Sequence, residues 1–467
     1  MTRNYIALLV MLVFFINTNA QVHKQYLPEK YNVQNGLKVS ANKHYLVDAV
    51  TGKPVFILAT TAWNINALTY SEIDTLLKSA ANIGFNSIMF AINFYPQADE
   101  PNVYGDKPYV GTDKSDLNPA YFVYCDSIVK KCSQYGIYAM LYTMWSGKST
   151  GIMNNYTAEQ LYILGKKIGI KYKNYRNVIL VAGGESSPPY IDTIRVNAMG
   201  NGLKDGCENN NLVTVHPCSP HSNSEYFSTA KWLDFYMTQG KSNINGMIYD
   251  LTKAITKDYA LTIIKPTMVA EHRYESGINE DPIIQRRSLY LSVFSGAFGY
   301  AYGHNALWQM TPHTAQPWML KSWKAGVANW KQALNTPAEK QLHFIKQLLF
   351  AYPYLEREPD KSLLLTASNS DSINSMVKLI RDGEIGKNNA TYIMVYISSS
   401  QPILVKTDVI MAKKLNAYWF NPRTGLSDVI LKGFKNNGSF EPPIKTDNQD
   451  WVLVINDVAS KNRLLIK

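Results

Sequence analysis

Two acidic residues stand where alternating strands and helices would bring them face to face. The stretch VILVAGGESSPPY, residues 178–190, runs from apolar Val178–Ala182 through Gly183 and Gly184 to Glu185. A second run, PTMVAE, ends on Glu271. Each reads as a buried strand that delivers a carboxylate at its C-terminal end, with the two glycines allowing a tight strand exit. The acids are 86 residues apart (271 − 185), which is three strand–helix units at about 30 residues each. In a closed eight-stranded barrel that offset sets them across one mouth. A facing carboxyl pair suits cleavage of a glycosidic bond. One acid protonates the leaving oxygen while the other attacks or supports the anomeric carbon, at about 5–5.5 Å separation with retention or about 6.5–9.5 Å with inversion.

The elements that must position them recur with a regular rhythm. PVFILATTAW, FNSIMFAINF, IYAMLYTMW, NVILVAGG, NLVTVHP, LDFYMTQ, PTMVAE and FGYAYG read as eight strands. Amphipathic helical segments fall between them. TYSEIDTLLKSAANIG carries a capping box at Thr69 and Glu72 and a Gly84 stop, and NPAYFVYCDSIVKKCSQYG has Pro119 in its first turn. This predicts an α/β fold, a (β/α)8 TIM barrel over residues 21–355. An open doubly wound sheet is disfavoured because no GxGxxG follows the first strand. Beyond about residue 355, short strands separated by Asn-Pro, Asp-Gly and Asn-Gly turns predict an antiparallel β-sandwich over 356–467.

Reactive groups of such barrels sit at the C-terminal strand ends. The candidates there are Trp63, Asn93, Trp145, Glu185, His216, Gln239, Glu271, Tyr302, His304 and Trp308. His216 and His304 could bind a sugar hydroxyl or serve as structural histidines. With 31 Tyr and 9 Trp the chain has aromatic platforms to offer a sugar, although most single rings pack cores. No HExxH zinc motif, GxSxG elbow or nucleic-acid motif occurs, and Gly147-Lys148-Ser149 lacks the earlier glycine of a phosphate loop, having Tyr142 there. No metal or cofactor and no nucleic-acid partner is expected. The net charge of +11 is scattered and singles out no acidic partner.

At the N-terminus, Arg3, the apolar run Ile6–Ile16 and Thr18-Asn19-Ala20 follow the pattern of a signal peptide over residues 1–20. That predicts a periplasmic or extracellular protein with no stable membrane insertion, because the apolar run is too short to span. Of four cysteines, Cys125 and Cys132 lie seven apart in a helix, roughly 10 Å along its axis, too far to bridge. A Cys207–Cys218 bridge is open but unsupported.

LATTAW (58–63), GFNSIMF (84–90), NVILVAGGE (177–185), LDFYMTQ (233–239), KPTMVAEHRYE (265–275) and GAFGYAYGHNALW (296–308) together resemble the apiosidase-like glycoside hydrolases, related to glycoside hydrolase family 140, over about residues 36–355. WFNPRTG and DWVLVI resemble the collagen-binding-type β-domain often joined to them. The resemblance implies an exo-acting, retaining-type glycosidase with two catalytic carboxyls, at Glu185 and Glu271. Glu275 competes for the second role, and Tyr274 belongs to the same motif. The family often carries Asp at the position of Glu185, and Gln-Ser-Gly-His where this chain has QGKSN. These departures bear on the sugar recognised. The sequence thus predicts a secreted glycoside hydrolase that removes a terminal sugar from a plant-type or other complex glycan, with Glu185 as acid/base and Glu271 as nucleophile. The alternative is a non-catalytic carbohydrate-binding or surface-adhesion protein on the same fold, and a collagen-binding role rests on the C-terminal label alone.

Overall fold

The computed structural model describes residues 31–92, 101–111, 115–146, 152–240, 244–313, 329–366, 372–462 and 464–466. The expected signal peptide and Asn93 lie outside the described residues. A small antiparallel sheet, Leu37–Val39, Leu46–Asp48 and Pro54–Val55, precedes eight parallel strands. These are β1 (Ile57–Thr61), β2 (Ser87–Ala91), β3 (Tyr138–Tyr142), β4 (Val178–Val181), β5 (Val213–Thr214), β6 (Tyr236–Gln239), β7 (Thr267–Glu271) and β8 (Gly299–Tyr302). Their order is β5-β4-β3-β2-β1-β8-β7-β6. First and last strands are therefore neighbours, and the sheet curls into a barrel. β1 begins later than its apolar run because Pro54 and Val55 pair antiparallel with Val47 and Leu46 instead.

The seam between β5 and β6 is closed by one backbone hydrogen bond and two side-chain bonds rather than a ladder. The Asp234 carboxylate accepts from the Val213 N–H at 2.7 Å, and the Asp234 N–H donates to the Val213 carbonyl at 2.8 Å. Thr214 Oγ1 donates to the Phe235 carbonyl at 2.8 Å.

The helices wrap the barrel as their caps predict. α1 (Tyr70–Ile83) has the Thr69/Glu72 capping box and a left-handed Gly84. α2 (Pro119–Gln134) starts at an Asn118 cap. α3 (Ala158–Tyr172), α4 (Thr193–Cys207), α5 (Ile244–Tyr259) and α6 (Ile283–Phe294) follow. All four cysteines are free and buried. Cys125 and Cys132 lie on the inner face of α2, and Cys207 and Cys218 form no bridge. No helix among the described residues is long and apolar enough to cross a membrane.

The C-terminal region is an antiparallel β-domain. Its main sheet comprises β9 (Glu358–Pro359), β10 (Val377–Arg381), β11 (Tyr392–Ile397), β12 (Lys414–Phe420), β13 (Ser427–Lys435) and β14 (Trp451–Asp457), in the order β9-β10-β11-β14-β12-β13. Both faces of the central strands are covered. Ile393, Val395, Ile397, Leu453 and Ile455 enter the domain's own core, with Val405 and Phe440 of a two-stranded pair above them. Tyr392, Met394, Tyr396, Val452 and Val454 point the other way, into the core continuous with the barrel. The period-two alternation of a strand thus serves two interiors.

Candidate functional site

β4 delivers Glu185 through an unusual exit. The Gly184 N–H donates to the Met144 carbonyl, and the Gly184 carbonyl accepts from the Ser146 N–H, both at 2.8 Å. This holds Gly184 flat against the extension of β3. A Cβ on Gly184 would lie 2.0 Å from the Trp145 ring, so only glycine fits. The left-handed residue of the turn is Glu185 itself, at φ 47°, a conformation that costs a non-glycine residue free energy and turns up at functional sites. Gly184 makes room for the indole, while a Cβ on Gly183 would meet Ser186 Oγ at 2.2 Å. Trp145 and Gln239 hydrogen-bond the Glu185 carboxyl, yet burial wins and raises its pKa.

Glu271 closes β7 beside β6. Gln239 is its cross-strand neighbour, after a register shift at Thr238/Gln239. Tyr274 and Gln239 hydrogen-bond the Glu271 carboxyl. The Tyr274 hydroxyl also accepts from Trp63 Nε1 at 2.8 Å, which fixes its rotamer. His216 Nε2 lies 3.6 Å from Glu271 Oε2. Burial, then repulsion from Glu185, pushes Glu271 up to about 8. Two carboxyls that repel across a desolvated cleft and share one amide donor hold a proton between them at neutral pH. One acid and one carboxylate at opposing strand ends can donate a proton to a leaving group and attack or stabilise the centre it leaves.

This pair at the ends of β4 and β7 lies within the region matched by the family described as "Apiosidase-like, catalytic domain", residues 40–356. The chain belongs to the apiosidase-like family. Residues 359–456 match the family described as "Putative collagen-binding domain of a collagenase". Among solved structures, a glycoside hydrolase family 5 protein from Bacteroides vulgatus is 24% identical, with a TM-score of 0.78, over 94% of this chain and 98% of that one. Another glycoside hydrolase is 24% identical with a TM-score of 0.77, over 91% and 97%. At that identity the likeness is one of fold. The search of curated proteins finds no match.

The other predicted residues divide into two groups. Trp63, Trp145 and His216 gather with the carboxyl pair. The His216 ring stacks at 6.0 Å on Trp63 and meets Trp145 edge-on at 5.9 Å. His216 is fully buried, and desolvation lowers its pKa to about 3, so it is neutral. Trp308 approaches Tyr274 at 6.4 Å, and its Nε1 donates to Asn305 Oδ1 at 2.9 Å.

Glu275, Tyr302 and His304 form a buried group of their own beside the pair. Glu275 is buried and accepts from Tyr302 and from Thr336, the latter at 2.9 Å. Its backbone pairs with that of His304. His304 is buried, and its Nδ1 accepts from the Ala306 N–H at 3.0 Å to cap the helix Asn305–Gln309. Glu275 thus ties the end of β8 to the segment at Thr336 through one carboxyl oxygen. Sequence reasoning missed Tyr142, the last residue of β3. Its ring meets His216 edge-on at 5.8 Å, and its hydroxyl feels the Glu271 charge. The signal was available, since Tyr142 ends a strand, but Trp145 had drawn the attention. Among the described residues no group of three or more His, Cys, Asp or Glu side chains is placed to hold a metal ion.

Proposed function

We propose that the protein is a glycoside hydrolase acting through a two-carboxylate mechanism, with Glu271 as nucleophile and Glu185 as general acid/base. The observation that carries this reading is the pairing of the two acids through Gln239 in a desolvated, aromatic-walled cleft. The pair shares one proton; in the reactive form it sits on Glu185, which leaves Glu271, fixed by Tyr274 on a strand end, ionised for in-line attack on the anomeric carbon. Glu185, on its left-handed turn, suits protonation of the leaving oxygen and later activation of water. Neutral His216 beside Glu271 can exchange a hydrogen bond with a sugar hydroxyl without adding charge.

The substrate in this reading is a carbohydrate from which a terminal sugar is released, with plant cell-wall oligosaccharides and terminal apiose the first to test, the latter suggested by the family's name. The N-terminal signal-peptide pattern supports export to the periplasm or beyond. The test is a screen of plant cell-wall oligosaccharides and aryl glycosides with wild type, Glu271→Ala and Glu185→Ala. Glu271→Ala is expected to lose activity on every substrate. Glu185→Ala is expected to fail on natural linkages while keeping partial turnover of an activated aryl glycoside, whose leaving group needs little protonation. Wild-type rates in both variants would sink the mechanism and favour a carbohydrate-binding role.

A further inference from the structure

Beyond the pair, the loops on the Glu185 side carry a second cluster that the mechanism does not use. The loop after Glu185 is laced to the loop after β5: the Cys218 N–H donates to Ser187 Oγ at 2.9 Å, and Cys218 Sγ donates to the Pro188 carbonyl at 2.9 Å. The loop after β5 is in turn tied to the site, since the Gln239 N–H donates to the His221 carbonyl at 3.0 Å and Ser219 Oγ to the Gly240 carbonyl at 2.7 Å. His221 is therefore anchored to the residue whose amide joins the two acids. Its Nδ1 lies 2.8 Å from Glu225 Oε2, and its ring meets Tyr226 edge-on at 5.6 Å. The side chains of His221 and Glu225 are 29% and 31% exposed, so the pair is open to a ligand, and the Ser222 N–H donates to Glu225 Oε1 at 3.3 Å.

The cluster borders Glu185 rather than Glu271. The Cys218 thiol feels the charges of both Glu185 and Glu225, Tyr190 feels Glu185 and Cys218, and Tyr226 feels Glu225 and Cys218. An isolated exposed His–Glu pair adds little to the stability of a fold, and here it decorates a helix of only four residues, Ser224–Phe227.

We propose that Tyr190, His221, Glu225 and Tyr226 form the leaving-group subsite, which holds the sugar on the far side of the bond to be cleaved. The proposal rests on the glycosidase reading, because it takes Glu185 as the acid that faces the leaving oxygen. The imidazole–carboxylate pair offers a donor and an acceptor to neighbouring hydroxyls of a sugar ring. The tyrosines offer flat apolar faces to its C–H side. The ligand class is a hydroxyl-rich pyranose or furanose of an oligosaccharide.

The experiment compares kcat/KM on an oligosaccharide from a plant cell-wall digest with kcat/KM on the p-nitrophenyl glycoside of the same terminal sugar. Wild type, His221→Ala, Tyr226→Ala and Tyr226→Phe are measured, with melting temperatures to confirm folding. The oligosaccharide-to-aryl ratio is expected to fall about tenfold in the alanine variants, mainly through KM, because the lost contacts belong to the leaving sugar. Tyr226→Phe should retain most of the ratio, since it keeps the ring face. A ratio unchanged in both alanine variants, or equal losses on both substrates, overturns the subsite while leaving the glycosidase reading intact. Absence of sugar release by wild type from either substrate overturns the reading and the subsite together.

Discussion

Glu271 binds its proton more tightly in the fold than in the unfolded chain, and that difference has a measurable sign. An unfolded Glu titrates near about 4.3, whereas burial and Glu185 push Glu271 up to about 8. Between these values the native state holds more protons than the unfolded state, so this term lowers stability as pH rises. Below the unfolded value both states are protonated and the term vanishes. Glu271→Gln should therefore melt with wild type near pH 4 and gain on it steadily toward pH 8, in thermal melts across that range. A variant that instead loses ground as pH rises would rule out the shared proton. Gly184→Ala tests the other half of the site. Its new Cβ would lie 2.0 Å from the Trp145 ring, and overpacking of this kind costs about 1–3 kcal/mol. Displacing Trp145 removes a hydrogen bond from Glu185, so activity is expected to fall more than stability, read as kcat against melting temperature. Both acids were legible because each ends an apolar run at a regular spacing. The different surroundings of Glu271 and Glu275 were not. They sit four residues apart in one motif, and what holds Glu275 is Thr336, 61 positions later.

At the scale of elements, α3 and α4 pack closely through glycines. A Cβ on Gly169 would fall 2.5 Å from the Leu203 carbonyl oxygen, and one on Gly206 would fall 2.3 Å from that of Lys166. In a solvated helix, Gly→Ala stabilises by about 1 kcal/mol through propensity. Here the obstacle is backbone, which cannot rotate aside, so the two helices must separate. Gly169→Ala and Gly206→Ala are each expected to destabilise by about 1–3 kcal/mol net in urea unfolding. A stabilised variant would show that the helices have slack between them. Helix starts were readable from the sequence because caps are local chemistry: Thr69 with Glu72, Asn118 before Pro119. The β5–β6 seam was not readable. Its closure depends on Asp234 reaching across to the Val213 N–H, a contact that no periodicity encodes. The left-handed turn at Glu185 was equally hidden, because the adjoining glycines drew the expectation to themselves.

Over the whole molecule, the β-domain is bolted to the barrel through α6, the helix that follows the Glu271 loop. Arg286 on α6 meets Asp450 at 2.6 Å, with both side chains buried at 2% and 0% exposure. Tyr396 donates to the same carboxylate at 3.2 Å and stacks on Tyr290 at 5.1 Å. Arg287 Nη2 donates to the Ser398 carbonyl at 2.8 Å. The catalytic side is linked to the same helix, since Gln285 Nε2 donates to the Arg273 carbonyl at 3.2 Å. The sequence foretold a β-domain but not this union. The clue was in TYIMVYI and WVLVI, whose unbroken apolar character exceeds what an antiparallel sheet with one wet face requires. Asp450→Ala would leave the Arg286 guanidinium buried without its partner. Removing one member of such a pair costs about 3–5 kcal/mol, more than an exposed pair could. Because one apolar core runs through both parts, the loss should lower a single transition rather than detach the β-domain. Calorimetry should show one endotherm moved down, with activity lost in step with it. Two separated endotherms, with activity surviving the first, would mean that the barrel stands without its β-domain and that α6 does not transmit the contact to the Glu271 loop.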